Sequence, residues 1–98
     1  MNNLKALNEE LTELQNDYRE TILDSTLLQR RVVSKETNLL NYSSSQIFNP
    51  QLINIEIVKM YNEDEYTFEV KFAIQQLRRA KSICIQIQNL EEKIATLS

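Results

Sequence analysis

The sequence contains no glycine and no histidine, and its 98 residues include one proline and one cysteine. Glycine provides the positive φ of most tight turns and the close backbone approach of phosphate-binding loops, so the sequence holds neither a P-loop nor a dinucleotide-binding fingerprint. The lack of histidine excludes a zincin motif, a Ser-His-Asp triad and a Cys2His2 zinc finger. We therefore expect long elements with few reversals in a chain that is not an enzyme, with no catalytic residue, metal site, cofactor or small-molecule substrate.

Cys84 has no second cysteine with which to form an intramolecular disulfide. A single cysteine is typical of a reducing compartment, where it usually behaves as a small buried apolar residue. The N-terminus resembles neither a signal peptide nor a transit peptide, and no stretch reaches the length of a membrane span, about 20 apolar residues. These features predict an intracellular protein, in the cytoplasm or nucleus, that does not contact a membrane.

The composition is 42% hydrophobic and 26% charged, with a formal net charge of -3. This length fits one domain, and we predict a single elongated domain over residues 1–98. A domain this small buries a low fraction of its surface, so association with another chain would add to its stability.

The N-terminal stretch carries apolar residues spaced alternately by three and four, namely Leu4, Leu7, Leu11, Leu14 and Tyr18. This spacing is typical of the a and d positions of a coiled coil. We predict a coiled-coil helix over residues 3–41, which at 1.5 Å per residue is about 57 Å long. The helix should end in residues 41–51, where three serines and the Asn49-Pro50 step compete with helical hydrogen bonding.

Residues 52–72 alternate apolar and polar side chains, which predicts a β-hairpin with its turn at residues 62–65. In this register Glu56 lies opposite Lys71, a favourable cross-strand pair. The acidic cluster of residues 63–65 is then a solvated hairpin tip. One face of the hairpin is apolar and consists of Ile55, Ile57, Phe68, Val70 and Phe72.

Residues 73–98 again show apolar spacings of three and four and predict a helix that packs back on the first one. Within it, residues 82–88 also alternate with period two and could form a strand. We favour helix, because strong helix formers flank this segment and no breaker interrupts it. The predicted fold class is α+β, mostly α.

The most regular part of the seam, from Leu4 to Tyr18, should project beyond the C-terminal helix, which by length reaches only to about residue 15. We therefore predict that this seam pairs with another protein chain. The partner is a second copy, most simply in a homodimer, or a dedicated partner in a hetero-oligomer.

Two basic pairs, Arg30-Arg31 and Arg78-Arg79, should lie near the hairpin end of the rod. They could contact an acidic partner surface or phosphate groups. Binding to nucleic acid is less favoured than docking to protein, because the net charge is negative and no aromatic residues are interleaved with the arginines.

The order helix, hairpin, helix resembles in outline the β-type subunits of prefoldin, a chaperone whose coiled-coil arms hold unfolded clients. It also resembles, more loosely, coiled-coil subunits of kinetochore and related chromosome-segregation assemblies, where a rod leads into a small α+β head. The leading hypothesis is a non-enzymatic scaffold subunit of a multiprotein complex, which assembles through its N-terminal heptads and docks a partner near the hairpin. A chaperone subunit and a chromosome-associated accessory subunit are the alternatives.

Overall fold

Four α-helices account for 95% of the residues that the computed structural model describes, which are 3–34, 50–62 and 67–97. Helix α1 spans Asn3–Leu23 and α2 spans Thr26–Ser34. Helix α3 spans Pro50–Tyr61 and α4 spans Phe68–Leu97. These three ranges contain no β-strand.

The predicted β-hairpin is wrong, and with it the α+β fold class. Residues 52–61 belong to α3 and residues 68–72 begin α4, while most of the predicted turn lies outside the described residues. Pro50 is the first residue of α3, where its missing N–H costs nothing. Ile53, Ile57 and Met60, spaced by four and three, are buried on one face of this helix. The isoleucines thus satisfy a helical period as well as a strand period, and packing overrides their strand propensity.

The predicted helix over residues 3–41 is interrupted after Leu23. Ser25 caps the following helix: its Oγ accepts a hydrogen bond from the backbone N–H of Leu28 at 3.4 Å, and its carbonyl oxygen accepts one from Gln29 at 2.9 Å. Helix α1 is therefore about 32 Å long rather than a continuous rod. Residues 35–41 lie outside the described ranges.

Helix α4 is the longest element, with 30 residues and a length of about 45 Å. Thr67 caps its N-terminus, since Val70 N–H donates to Thr67 Oγ1 at 3.3 Å and Lys71 N–H to the Thr67 carbonyl at 3.0 Å. Glu69 lies in the first turn, where the helix dipole favours a negative charge. Residues 82–88 are helical.

Helix α4 packs against each of the other three helices and runs antiparallel to α1. Near the start of α4, the side-chain amide of Gln76 donates to the Thr21 carbonyl at 3.3 Å and to Asp24 Oδ2 at 2.9 Å. Near its end, Ile94 lies beside Leu11. The molecule is elongated, with principal extents of 54 × 21 × 19 Å.

The core lies where α1, α2 and α3 all surround α4. Its buried side chains come from every helix: Tyr18, Ile22, Leu28, Ile53, Ile57, Met60, Val70, Ala73, Ile74, Leu77, Ala80, Ile83, Cys84 and Ile87. We call this part the head and define it as residues 18–34, 50–62 and 67–87. The remaining parts of α1 and α4, residues 3–17 and 88–97, form a two-helix arm.

An ion pair joins α2 to α3 inside the head. Arg31 Nη1 lies 3.1 Å from Glu56 Oε1, and the two side chains are only 14% and 5% exposed. Arg30 Nη2 lies 2.9 Å from Glu69 Oε2, but these side chains are 62% and 63% exposed. Because water screens the second pair and not the first, the two should differ strongly in their contribution to stability.

Replacing Glu56 with glutamine should lower the free energy of unfolding by about 3 kcal/mol, because it removes the negative charge from an ion pair that is shielded from water. Replacing Glu69 with glutamine breaks an exposed pair of the same chemistry and should cost less than about 1 kcal/mol. Urea unfolding followed by far-UV circular dichroism measures both values. Equal losses in the two variants would show that burial does not set the strength of the Arg31–Glu56 pair.

Candidate interaction surface

Burial decreases along α1 from the head to the arm within a single row of residues spaced by seven. Tyr18 is fully buried, Leu11 is half-buried and Leu4 is 39% exposed. Residues spaced by seven lie on nearly the same face of a helix, so these three positions share one face of α1. Toward the arm, the side chains of this row therefore become more exposed to solvent but remain apolar.

Burial also decreases along α4 from the head to the arm, which in this helix means toward its C-terminus. Ala80 and Ile87 are fully buried and Ile94, seven residues further, is half-buried. Leu90 is 7% exposed and Leu97 is 55% exposed. Burial decreases because fewer helices pack together. In the head, further helices lie beside the seam between α1 and α4, whereas the described part of the arm contains only α1 and α4.

The uncovered side of the arm forms a groove of about 270 Å³ lined by Leu11, Gln15, Glu91, Ile94 and Ala95. Burial raises the pKa of the Glu91 carboxyl, because its charged form loses water on this surface. Gln15 lies seven residues before Ile22 of the head, and Glu91 lies seven residues after Cys84 of the head. Two rows of residues that are apolar in the head therefore become polar in the groove. The groove can accept an apolar side chain together with a polar or charged one.

The predicted interface residues occupy different environments. Tyr18 is completely buried in the head, and Leu11 and Leu14 pack partly against the same core. Leu7 is half-buried and Leu4 is exposed. Helix α4 reaches further along α1 than predicted, because α1 ends at Leu23 and the start of α4 lies beside that end. The part of the predicted seam that is still accessible therefore runs from Leu4 to Leu14.

The predicted apolar hairpin face is divided between core and surface. Ile57 and Val70 are buried, Phe72 is half-buried, and Ile55 and Phe68 are 53% and 81% exposed. These side chains do not form one face, because they belong to two helices, α3 and α4, rather than to paired strands. Phe68 and Phe72 instead border a shallow pocket beside Leu27 of α2.

All four predicted contact arginines lie in the head, where groups of the same chain meet them. Arg30 pairs with Glu69 and Arg31 with Glu56. Arg78 donates to the hydroxyl of Tyr61, and its Cζ lies 5.8 Å from the centroid of that ring.

Arg79 lines an open groove between α1 and α4. The other polar residues of that groove are Asp17, Glu20, Thr21 and Asp24. This acidic surrounding is unfavourable to a phosphate group, so the structure gives the predicted phosphate contact no support at Arg79. Docking of an acidic partner to any of the arginines stays a prediction.

Sequence reasoning missed most of the groove. Of its lining residues only Leu11 was a predicted interface residue, and Gln15, Glu91, Ile94 and Ala95 were not. A signal for the missing half was present in the spacing of Ile87, Leu90, Ile94 and Leu97, which continues the heptad pattern through the arm.

Two further kinds of site are absent from the part of the chain that the structure describes. There, no group of three or more histidine, cysteine, aspartate or glutamate side chains is placed to hold a metal ion. None of the described helices combines the length and apolar character needed to span a bilayer. No family model, no curated protein and no solved structure matches the chain.

Cys84 is buried in the core of the head. Burial raises the pKa of its thiol to about 12, and a side-chain hydrogen bond with Tyr18 opposes this shift to a smaller extent. A thiol with this pKa is almost wholly protonated at neutral pH and is a poor nucleophile. Cys84 therefore acts as an apolar core residue.

The raised pKa of Cys84 predicts a loss of stability at alkaline pH. In the unfolded chain the thiol ionises near its ordinary value of 9.0, whereas in the folded chain it ionises near 12. Its contribution to stability is thus complete below 9.0 and disappears as the pH rises toward 12. The free energy of unfolding, measured in urea at a series of pH values, should fall more steeply for the wild type than for Cys84→Ala. Parallel curves for the two proteins would contradict the assignment.

Proposed function

We propose that the chain is a non-enzymatic interaction subunit of a protein complex, which assembles when α-helices of another protein chain cover its two-helix arm. One observation carries the proposal: the rows that are buried in the head continue into the arm as apolar residues that no further helix of the described ranges covers. Leu4 and Leu97 are exposed and Leu11 and Ile94 are half-buried at positions that a folded monomer has no need to keep apolar.

The proposal divides the chain into two parts with different roles. The head has a compact core with contributions from all four helices and can hold the start of the arm in place. The arm presents an elongated groove of the kind in which amphipathic helices bind. The partner is a protein, either a second copy or a dedicated partner.

We also place the protein inside the cell, in the cytoplasm or nucleus. Cys84 is free and lies in the core, where oxidation would disrupt packing. A reducing compartment preserves such a thiol.

Hydrogen exchange tests this function without knowledge of the natural partner. The amides of the arm are followed in the chain alone at low and at high concentration, and in the presence of synthetic helices with leucine at their a and d positions. Relative to the chain alone at low concentration, exchange in the arm should slow at high concentration, with a synthetic helix, or in both conditions. The reason is that a covering helix stabilises α1 and α4. If neither high concentration nor any synthetic helix slows exchange, the arm is not an assembly surface.

Leu11→Asp should abolish this slowing, because it puts a carboxylate in the apolar part of the groove. Thr12→Asp is the matched control: it adds the same charge at the next residue, which is exposed and does not line the groove. Slowing should persist in this control. Circular dichroism of both variants must first show a folded head; loss of slowing in both would show that charge alone causes the effect.

A further inference from the structure

We propose that the partner of the arm is an amphipathic α-helix of a different protein, with apolar residues on one face and lysine or arginine beside them. This inference rests on the proposed function and adds the chemistry of the partner to it. The shape of the groove, the charges around it and the cost of the alternative occupant support it.

The groove suits a helix, because α4 already packs against a third helix in the head. Helix α3 packs on α4 and inserts Ile53, Ile57 and Met60 into the core. In the arm, Leu11 and Ile94 line an open groove along the same seam. A further helix with apolar residues at spacings of three and four would bury these side chains in the arm.

The charge of the groove selects a basic helix. Glu91 is the single charged residue that lines it, and no lysine or arginine is among the lining residues. The arm as a whole carries six carboxylates and two cations, a formal charge of -4. The carboxylates are Glu9, Glu10, Glu13, Asp17, Glu91 and Glu92, and the cations are Lys5 and Lys93. A cation on the partner would compensate the charge of Glu91, which loses water when the groove is covered.

A second copy of the chain is a poorer occupant of the groove. Pairing two arms would bring together two surfaces of -4 each. Helices in contact have axes about 10 Å apart, close to the Debye length of about 8 Å at physiological ionic strength, so this repulsion is only partly screened. A basic helix replaces that repulsion with attraction and buries the same apolar residues.

Two synthetic helices test the proposal. Both carry leucine at a and d; one has lysine and the other glutamate at the flanking e and g positions, and each bears a fluorescent label. Fluorescence anisotropy with the full chain should show the lysine helix binding at least about tenfold more tightly than the glutamate helix. Glu91→Gln should reduce this preference more than Glu13→Gln, which removes the same charge from an exposed position outside the groove.

Ile94→Asp separates groove binding from general attraction to an acidic surface. It makes the arm more negative but removes an apolar side chain from the groove, so it should weaken the lysine helix, whereas purely electrostatic binding would become tighter. Tighter binding to Ile94→Asp, or equal binding of the two helices to the wild type, would overturn the basic-helix proposal. Failure of both helices to bind a chain that sedimentation shows to be dimeric would identify a second copy as the occupant and leave the proposed function standing. If both helices fail to bind a chain that sedimentation shows to be monomeric, the basic-helix proposal and the proposed function are both overturned.

Discussion

The antiparallel seam between α1 and α4 is the contact on which the rest of the structure depends. Helices α2 and α3 pack against α4 on the first part of this seam, and the arm is its continuation. A two-helix seam buries only one stripe of each helix, so the apolar residues beside that stripe become covered where further helices join. The head and the arm thus share one continuous α1–α4 seam, and they differ in how many helices pack around that seam.

Polar contacts fix how the helices of the head meet. Gln76 is buried and its amide bonds the last turn of α1 and Asp24 just beyond it, which sets the position of α4 along α1. Glu56 is buried against Arg31, which ties α3 to α2. Apolar packing alone would tolerate sliding by a heptad, whereas a buried polar group that loses its partner is destabilising. These side chains therefore contribute specificity of arrangement more than net stability.

The helical periodicity at both ends of the sequence was sufficient to predict α1 and α4, because spacings of three and four continued over many residues. The middle was not predictable in the same way. Ile53, Ile55 and Ile57 alternate with period two, but Ile53 and Ile57 also lie one helical turn apart, and only tertiary packing decides between the two patterns. The break at Asp24 and Ser25 was missed because the apolar spacing runs through it. For the proposed interface, the sequence predicted Leu11 of α1 and not the groove residues of α4, because the inward-facing residues of two helices are matched only once their register is known.

The residue types along the seam change between the head and the arm. Toward the arm, Ile22 is succeeded by Gln15 and Cys84 by Glu91, while Leu11 and Ile94 keep the adjacent rows apolar. Gln15 and Glu91 tolerate water, so they lower the cost of the uncovered state. The same residues penalise any covering helix that buries them without a hydrogen-bond donor or a cation. An entirely apolar arm would bind many helices, and an entirely polar one would bind none. Under the proposed function, the mixture of the two makes association depend on the chemistry of the partner.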